Sequence, residues 1–214
     1  MSWHCQRNGG YARSSQEAYD NCLEIYGILY SLGWTLEAVC GVLGNMESES
    51  GYNPWRWQYR NGNDDPLPVN DPYIYVSSGK AYGLCQWDPA SKYISNGVGL
   101  AGYGPNYSNQ AGSTFDGHAQ MIFMDSYSAQ WQDHPSSAWP ETFAEYKQLT
   151  ASVAYCTESW FHNYEIGTWD NNRIPAAEHW YQEFGGITPP TPGLKDDILF
   201  LKHFIDKNRK GFII

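Results

Sequence analysis

The chain has 214 residues, of which 42% are hydrophobic, and this is enough for one well-buried domain with a small appendage. Its net charge of −10 argues against nucleic acid as a partner. No run of about eighteen apolar residues is present, so no transmembrane helix is expected.

The N-terminal region lacks a basic stretch followed by an apolar run, so the sequence predicts no secretory signal peptide and synthesis in the cytosol. The five cysteines form no CxxC pair, and their odd number argues against a complete disulfide framework. We therefore expect mostly free thiols and no zinc site. The cysteines are Cys5, Cys22, Cys40, Cys85 and Cys156.

Two helices are predicted in the first quarter of the chain. The first runs from Ser15 to Leu32, with Ser15 as its N-cap. The second begins after Thr35, a good N-cap, and stops at Gly51 before Pro54. Because the second helix has two apolar stripes at helical spacing, it is expected to be buried.

The last turn of this second helix carries two carboxylates, Glu47 and Glu49. Both lie over apolar neighbours and near the negative end of the helix dipole, and both effects favour the neutral acid. A carboxylic acid that is still protonated near neutral pH is what a glycosidase uses to protonate a leaving oxygen. Helical periodicity does not choose between the two residues.

The middle of the chain is predicted to hold turns and a small β-hairpin. Residues 59–72 are rich in Asn, Asp, Gly and Pro. Tyr73–Val76 and Tyr82–Trp87 are predicted as the two hairpin strands. The Asn/Asp cluster at 61–65 lacks the downstream residues of a calcium loop, so we expect no metal and no cofactor.

More helices are predicted in the second half, followed by a separate tail. A Thr-Pro-Pro-Thr-Pro linker then precedes a short amphipathic helix with its centre at 198–205. We therefore divide the chain into a domain at 1–186 and a tail at 187–214, which either packs on the domain or docks on a partner. The helices are expected at 88–94, 115–131, 140–147, 150–163 and 174–184.

Three motifs, in order and at characteristic spacing, carry a family resemblance. The first is Glu49-Ser50-Gly51-Tyr52-Asn53-Pro54, the second is Gly83-Leu84-Cys85-Gln86-Trp87, and the third is Asn163-Tyr164-Glu165. They resemble the motifs of goose-type lysozymes, lytic transglycosylases and, most closely, the phage tail lysozyme family over roughly residues 17 to 184. The resemblance implies a mainly α (α+β), lysozyme-like helical domain with its hairpin beside the active-site cleft.

The same resemblance implies a peptidoglycan glycosidase on a virion tail, with other tail proteins as partners for the C-terminal segment. It places the catalytic acid on Glu49. Gln86, Tyr164 and Trp87 would bind substrate, and Trp55 and Trp57 are further stacking candidates. The second carboxylate is expected at Asp71, ahead of Asp64 and Asp65.

Three other functions stay open at this point. Relatives of the transglycosylase type use one Glu and leave an anhydro sugar. A non-catalytic wall-binding module would keep the fold without the chemistry. A cysteine peptidase would pair Cys85 or Cys156 with His118 or His162, but Cys/His pairs without a motif are common.

Overall fold

The computed structural model describes residues 3–6, 9–58, 80–94, 114–132 and 138–190. This part of the chain is mainly helical, as the sequence predicts. Its α-helices are α1 (Gln16–Ser31), α2 (Leu36–Ser50), α3 (Ser91–Ile94), α4 (Thr114–Ser126), α5 (Phe143–Tyr146), α6 (Val153–Trp160) and α7 (Arg173–Phe184). A 3₁₀ turn at Ser128–Gln130 follows α4, and a π-helical turn at Phe161–Glu165 continues α6.

The two N-terminal helices begin and end where the sequence predicts. The Ser15 hydroxyl accepts a hydrogen bond from the Ala18 amide at 3.1 Å, and Thr35 does the same for Ala38 at 3.3 Å. Gly51 ends α2 in the left-handed conformation, with φ of 55°. These local signals are sufficient because each cap uses only residues within one turn of the helix.

Helix α2 lies at the centre of the domain and packs mainly on α6 and α7, while α1 packs on α4. Its apolar side chains, from Ala38 to Met46, are fully buried. Glycines allow the neighbouring helices to approach closely. A Cβ at Gly41 would lie 2.8 Å from the Cys156 carbonyl carbon of α6, and one at Gly44 would lie 2.7 Å from the Ala177 Cβ and in contact with the Arg173 carbonyl oxygen.

Gly44→Ala is therefore expected to destabilise the protein by about 1 to 3 kcal/mol, because the added methyl group overpacks the contact between α2 and α7. Gly167→Ala is a suitable control, since a Cβ there meets no atom within 4 Å. Urea denaturation followed by circular dichroism measures both. Equal midpoints for the two variants would show that α7 can move away at no cost.

The predicted hairpin is not seen in the described residues. Residues 82–87, predicted as a strand, form instead a tight turn in which the amides of Tyr82 and Trp87 each donate to the other's carbonyl, at 3.2 and 3.0 Å. Tyr82 also forms an isolated antiparallel bridge with Trp57. The aromatic side chains of this segment, which favoured a strand prediction, are therefore buried in the core from a turn. The other predicted strand, Tyr73–Val76, lies outside the described residues.

The later helices are shorter than predicted where local contacts compete. Helix α3 begins at Ser91 instead of Asp88, because the Ala90 amide donates to the Lys80 carbonyl at 2.8 Å. Helix α5 begins after a capping box formed by Thr142 and Glu145. Helix α6 begins after Ser152, which caps it, and its last turn widens into the π-helical turn.

The chain leaves the domain along α1. Gly27 of α1 faces Pro190, since a Cβ at Gly27 would lie 2.8 Å from the Pro190 carbonyl oxygen. Residues 191–214 lie outside the described residues, so the boundary at 186 and the role of the tail stay predictions. Within the described ranges, no helix has the length and apolar character that crossing a bilayer requires.

Candidate active site

The two carboxylates at the end of α2 have different surroundings. Glu47 receives two hydrogen bonds from the Arg13 guanidinium, both at 2.6 Å, and a third from the Tyr52 hydroxyl at 2.6 Å. The Tyr52 hydroxyl in turn accepts from the Trp180 ring nitrogen at 2.8 Å. Glu47 therefore joins the N-terminal segment to the core, and its oxygens are occupied by structural partners.

Glu49 is held by one buried arginine. The Arg173 Nη2 donates to Glu49 Oε1 at 2.6 Å, and the Arg173 side chain is only 4% exposed. The Nη1 group of the same guanidinium donates to the carbonyl and side-chain oxygens of Asn45, at 3.2 and 3.0 Å. Asn45 is anchored on α6 by a bond to the Thr157 carbonyl at 3.0 Å. This chain of contacts fixes the Glu49 carboxylate at the junction of α2, α6 and α7.

Glu49 opens on a cleft of about 620 Å³, and Glu47 does not line it. One wall comes from the end of α2 and the residues around the 82–87 turn, and the other from the segment between the π-helical turn and α7. Polar and charged groups predominate, which suits a sugar chain with many hydroxyl and amide groups. The lining residues are Ser48, Glu49, Arg56, Gln58, Ala81, Gln86, Asp88, Glu165, Ile166, Gly167, Thr168, Asp170 and Arg173.

A hydrogen bond joins the two walls of this cleft. The Ser48 hydroxyl donates to Asp170 at 2.8 Å, and the Asn172 amide donates to the same carboxylate at 2.9 Å. These bonds hold the pKa of Asp170 below its usual value, with the Asn172 amide as the largest cause. Asp170 is therefore a fixed anion at the rim.

A second cavity of about 490 Å³ continues the cleft. It shares Gln86, Asp88, Glu165 and Ile166 with the first cavity and extends past Lys92 towards the 3₁₀ turn. The two cavities therefore adjoin to form one groove, and the four residues that line both are called its waist. A groove that continues beyond one cavity has room for several sugars of a polymer strand.

Glu165 is the most strongly perturbed carboxyl group of the groove. Its pKa is raised to about 8, first by burial and then by the negative charge of Glu49, while the Trp160 hydrogen bond and the Arg173 charge act in the opposite direction. The Trp160 Nε1 donates to Glu165 Oε1 at 2.9 Å. At neutral pH, Glu165 is therefore a neutral carboxylic acid that lines both cavities.

Because its pKa is raised in the folded protein, Glu165 makes the free energy of unfolding depend on pH. The unfolded chain loses the Glu165 proton near its ordinary pKa and the folded chain only near pH 8, so the contribution of this group becomes more unfavourable as pH rises between these values. Glu165→Gln, which removes the ionisation, is expected to stabilise the protein by roughly 2 to 3 kcal/mol at pH 7 and by little at pH 4.

Thermal unfolding at both pH values measures this effect, with Glu178→Gln as the control because Glu178 is exposed on α7. A loss of stability at pH 7 in Glu165→Gln, or the same gain at both pH values, would contradict the assignment of a raised pKa to Glu165.

The other predicted site residues lie at different depths. Gln86 lines both cavities, and its side-chain nitrogen donates to the Arg56 and Gly83 carbonyls at 2.9 Å each. Trp87 lines the second cavity but is only 2% exposed, and its ring nitrogen donates to the Tyr164 hydroxyl at 2.9 Å. Tyr164 is 1% exposed and stacks on Trp160. Trp87 and Tyr164 thus support the groove from behind.

Asp71 lies outside the described residues, as do Asp64, Asp65 and the 61–65 cluster. Trp55 and Trp57 are 8% and 1% exposed and pack in the core. Sequence reasoning gave no role to Glu165 or to Arg173. Glu165 stands next to Tyr164 in the third motif, which is a usable signal, but no sequence pattern marks Arg173.

The thiols do not have the surroundings of a reactive cysteine. Burial raises the pKa of Cys85 and raises that of Cys156 to about 12, so both stay thiols at neutral pH. The Cys85 thiol lies 3.5 Å from the Met124 sulfur, and His162 stacks on Trp139. The buried cysteines, Cys22 and Cys40 included, form no disulfide. In the described part of the chain, no group of three His, Cys, Asp or Glu side chains is placed to hold a metal ion.

Comparison with known proteins confirms the family resemblance. The model of the phage tail lysozyme family matches residues 20–184, which is most of the chain. The chain belongs to the phage tail lysozyme family. Both Glu49 and Glu165 lie inside the matched region of this family member.

A curated relative gives a second comparison. The chain is 28% identical over 181 residues to morphogenesis protein 1 of Bacillus phage B103. The alignment includes 81% of this chain but only 41% of that protein. The chain thus spans about two-fifths of the length of this relative.

Proposed function

We propose that the chain is a peptidoglycan-degrading glycosidase, which cleaves the β-1,4 bonds between N-acetylmuramic acid and N-acetylglucosamine with Glu49 as general acid/base. The observation that carries the proposal is the orientation of the two acids that end α2. Glu49, the acid of the family-like motif, lines the polar groove, while the oxygens of Glu47 are occupied by Arg13 and Tyr52.

The groove offers the contacts that such a reaction needs. A carboxyl group at residue 49 would protonate the glycosidic oxygen, and the C–O bond would break with its electron pair on that oxygen. Water would then add to the sugar and return a proton to the carboxylate. The Gln86 side-chain oxygen accepts no hydrogen bond from the described residues, so it is free to accept one from an acetamide N–H.

Trp87 and Tyr164 would contribute to substrate binding from behind the groove wall. The bond between their polar atoms fixes the wall that carries Gln86 on one side and Glu165 on the other. Asp71 is retained as a candidate for a further acid contributed by the segment between residues 58 and 80.

The biological setting that we propose follows the family and the relative. A phage tail lysozyme would open the host wall from the virion tail, and the C-terminal segment would be the contact with other tail proteins. An enzyme carried at the tail tip would be delivered to the bacterial wall by the virion itself.

The experiment that tests the activity uses purified cell walls and the full chain. We expect the turbidity to fall as soluble muropeptides with reducing ends are released. Mass spectrometry identifies the reaction, because a lytic transglycosylase gives an anhydro product that is lighter by one water molecule. Binding to walls without any clearing would instead identify a non-catalytic wall-binding module.

A further inference from the structure

We propose that Glu165 is the second carboxyl group of the reaction centre and acts on the same sugar as Glu49. This inference rests on the proposed glycosidase function and assigns a role to a residue that the motifs left without one. It is carried by the position of Glu165 at the waist of the groove, between the cavity that contains Glu49 and the cavity that continues it.

Three elements place the two acids around one guanidinium. Glu49 ends α2, Glu165 ends the π-helical turn after α6, and Arg173 begins α7. Arg173 binds Glu49 directly and interacts electrostatically with Glu165. One positive charge thus faces two carboxyl groups, so it can balance one carboxylate, and the second carboxyl group is favoured as the neutral acid.

The buried thiol of Cys85 feels both acids. Burial raises its pKa first, and the charges of Glu165 and Glu49 raise it further. The other charged or titratable groups that line the two cavities with Glu165 are Arg56, Asp88, Lys92, Tyr127 and Asp170.

Two carboxyl groups in one groove fit the requirements of glycoside cleavage. Glu49 gives a proton to the glycosidic oxygen, and the C–O bond breaks with its electron pair on that oxygen. The Glu49 carboxylate then faces the positive charge of the sugar ring, with Glu165 and Arg173 beside it. Water adds to the sugar carbon and returns one proton to Glu49, which restores the starting state.

The pH dependence of wall lysis tests the proposal. For the wild type we expect the rate to fall as pH rises through about 8, where Glu165 loses its proton and a second negative charge develops beside Glu49. In Glu165→Gln this group no longer ionises, so the fall near pH 8 should disappear, with about a tenfold loss of rate at pH 7. Glu178→Gln should keep the wild-type profile.

A carboxyl titration by ¹³C NMR gives a second readout that needs no activity. In the wild type we expect one glutamate to titrate near pH 8, and that resonance should be missing in Glu165→Gln. In Glu49→Gln, the Glu165 titration should move towards its ordinary value, because the neighbouring negative charge is gone.

An unchanged pH profile in Glu165→Gln, or a Glu165 titration that Glu49→Gln does not move, would overturn the assignment of Glu165 to the reaction centre. If Glu165→Gln is inactive at every pH, the NMR titration decides. If the wild type does not lyse walls while the titrations are coupled, the glycosidase function fails and the carboxyl pair stands.

Discussion

Glu49→Gln is expected to lower the rate of wall lysis by a factor of about 10² to 10⁴, the usual contribution of a general acid/base. The amide has nearly the same shape as the carboxyl group and still accepts a hydrogen bond from Arg173, so the fold should be retained. It has no proton of suitable acidity to give to a glycosidic oxygen. The rate is measured by the loss of turbidity of purified walls.

Glu47→Gln is the matched control, since Glu47 lies on the same turn of α2 but binds Arg13 and Tyr52. It should keep most of the activity and lose stability by about 1 to 2 kcal/mol, because two charge-assisted hydrogen bonds are weakened. The reverse pattern, with activity lost in Glu47→Gln and kept in Glu49→Gln, would reject the assignment of the acid.

The largest loss of stability is expected for Arg173→Met, at about 3 kcal/mol or more. The guanidinium is 4% exposed and serves two partners, Glu49 and Asn45. It also lies 5.0 Å from the centre of the Phe161 ring. Removing one partner of a buried ion pair leaves the other without compensation, which costs more than the pair itself contributes. Urea denaturation measures the change in the free energy of unfolding.

Arg173→Lys separates the charge from the geometry. A lysine keeps the positive charge, but its single ammonium group cannot bind both Asn45 and Glu49 as the fork of the guanidinium does. We expect it to recover part of the stability and little of the activity. A Met variant as stable as the wild type would mean that Arg173 does not organise the junction of α2 and α7.

Much of the first half of the fold is predictable because the signals are local. Ser15, Thr35 and Gly51 set the ends of α1 and α2, and each acts through backbone groups within one helical turn. The burial of α2 also follows from its two apolar stripes. Such features are present in the sequence because helix caps and periodicity do not depend on the rest of the chain.

The site is less predictable because its partners come from distant segments. Arg173 is 124 residues from Glu49 along the chain. Periodicity places Glu47 and Glu49 on the same turn, and only tertiary contacts show that one binds Arg13 and the other faces the groove. The raised pKa expected near the end of α2 is found on Glu165 at the other wall, because burial depends on the whole fold.

In the turn at 82–87, the burial of aromatic side chains competes with the β propensity of the same residues, and propensity alone does not predict which of the two prevails. Aromatic and apolar residues made the segment resemble a strand, but Trp57, Tyr82 and Trp87 are each buried in the aromatic core. Gly83, with φ of 87°, and Gln86, with φ of 44°, allow the chain to reverse between Tyr82 and Trp87. Side-chain burial therefore determines the local structure here.

A structure of Glu49→Gln with a bound wall oligosaccharide tests the account most directly. We expect a glycosidic oxygen within hydrogen-bond distance of the residue 49 amide, with the Glu165 carboxyl group beside the same sugar ring and further sugars in both cavities. A strand bound outside the groove, or one that leaves both residues without contact to a glycosidic bond, would contradict it.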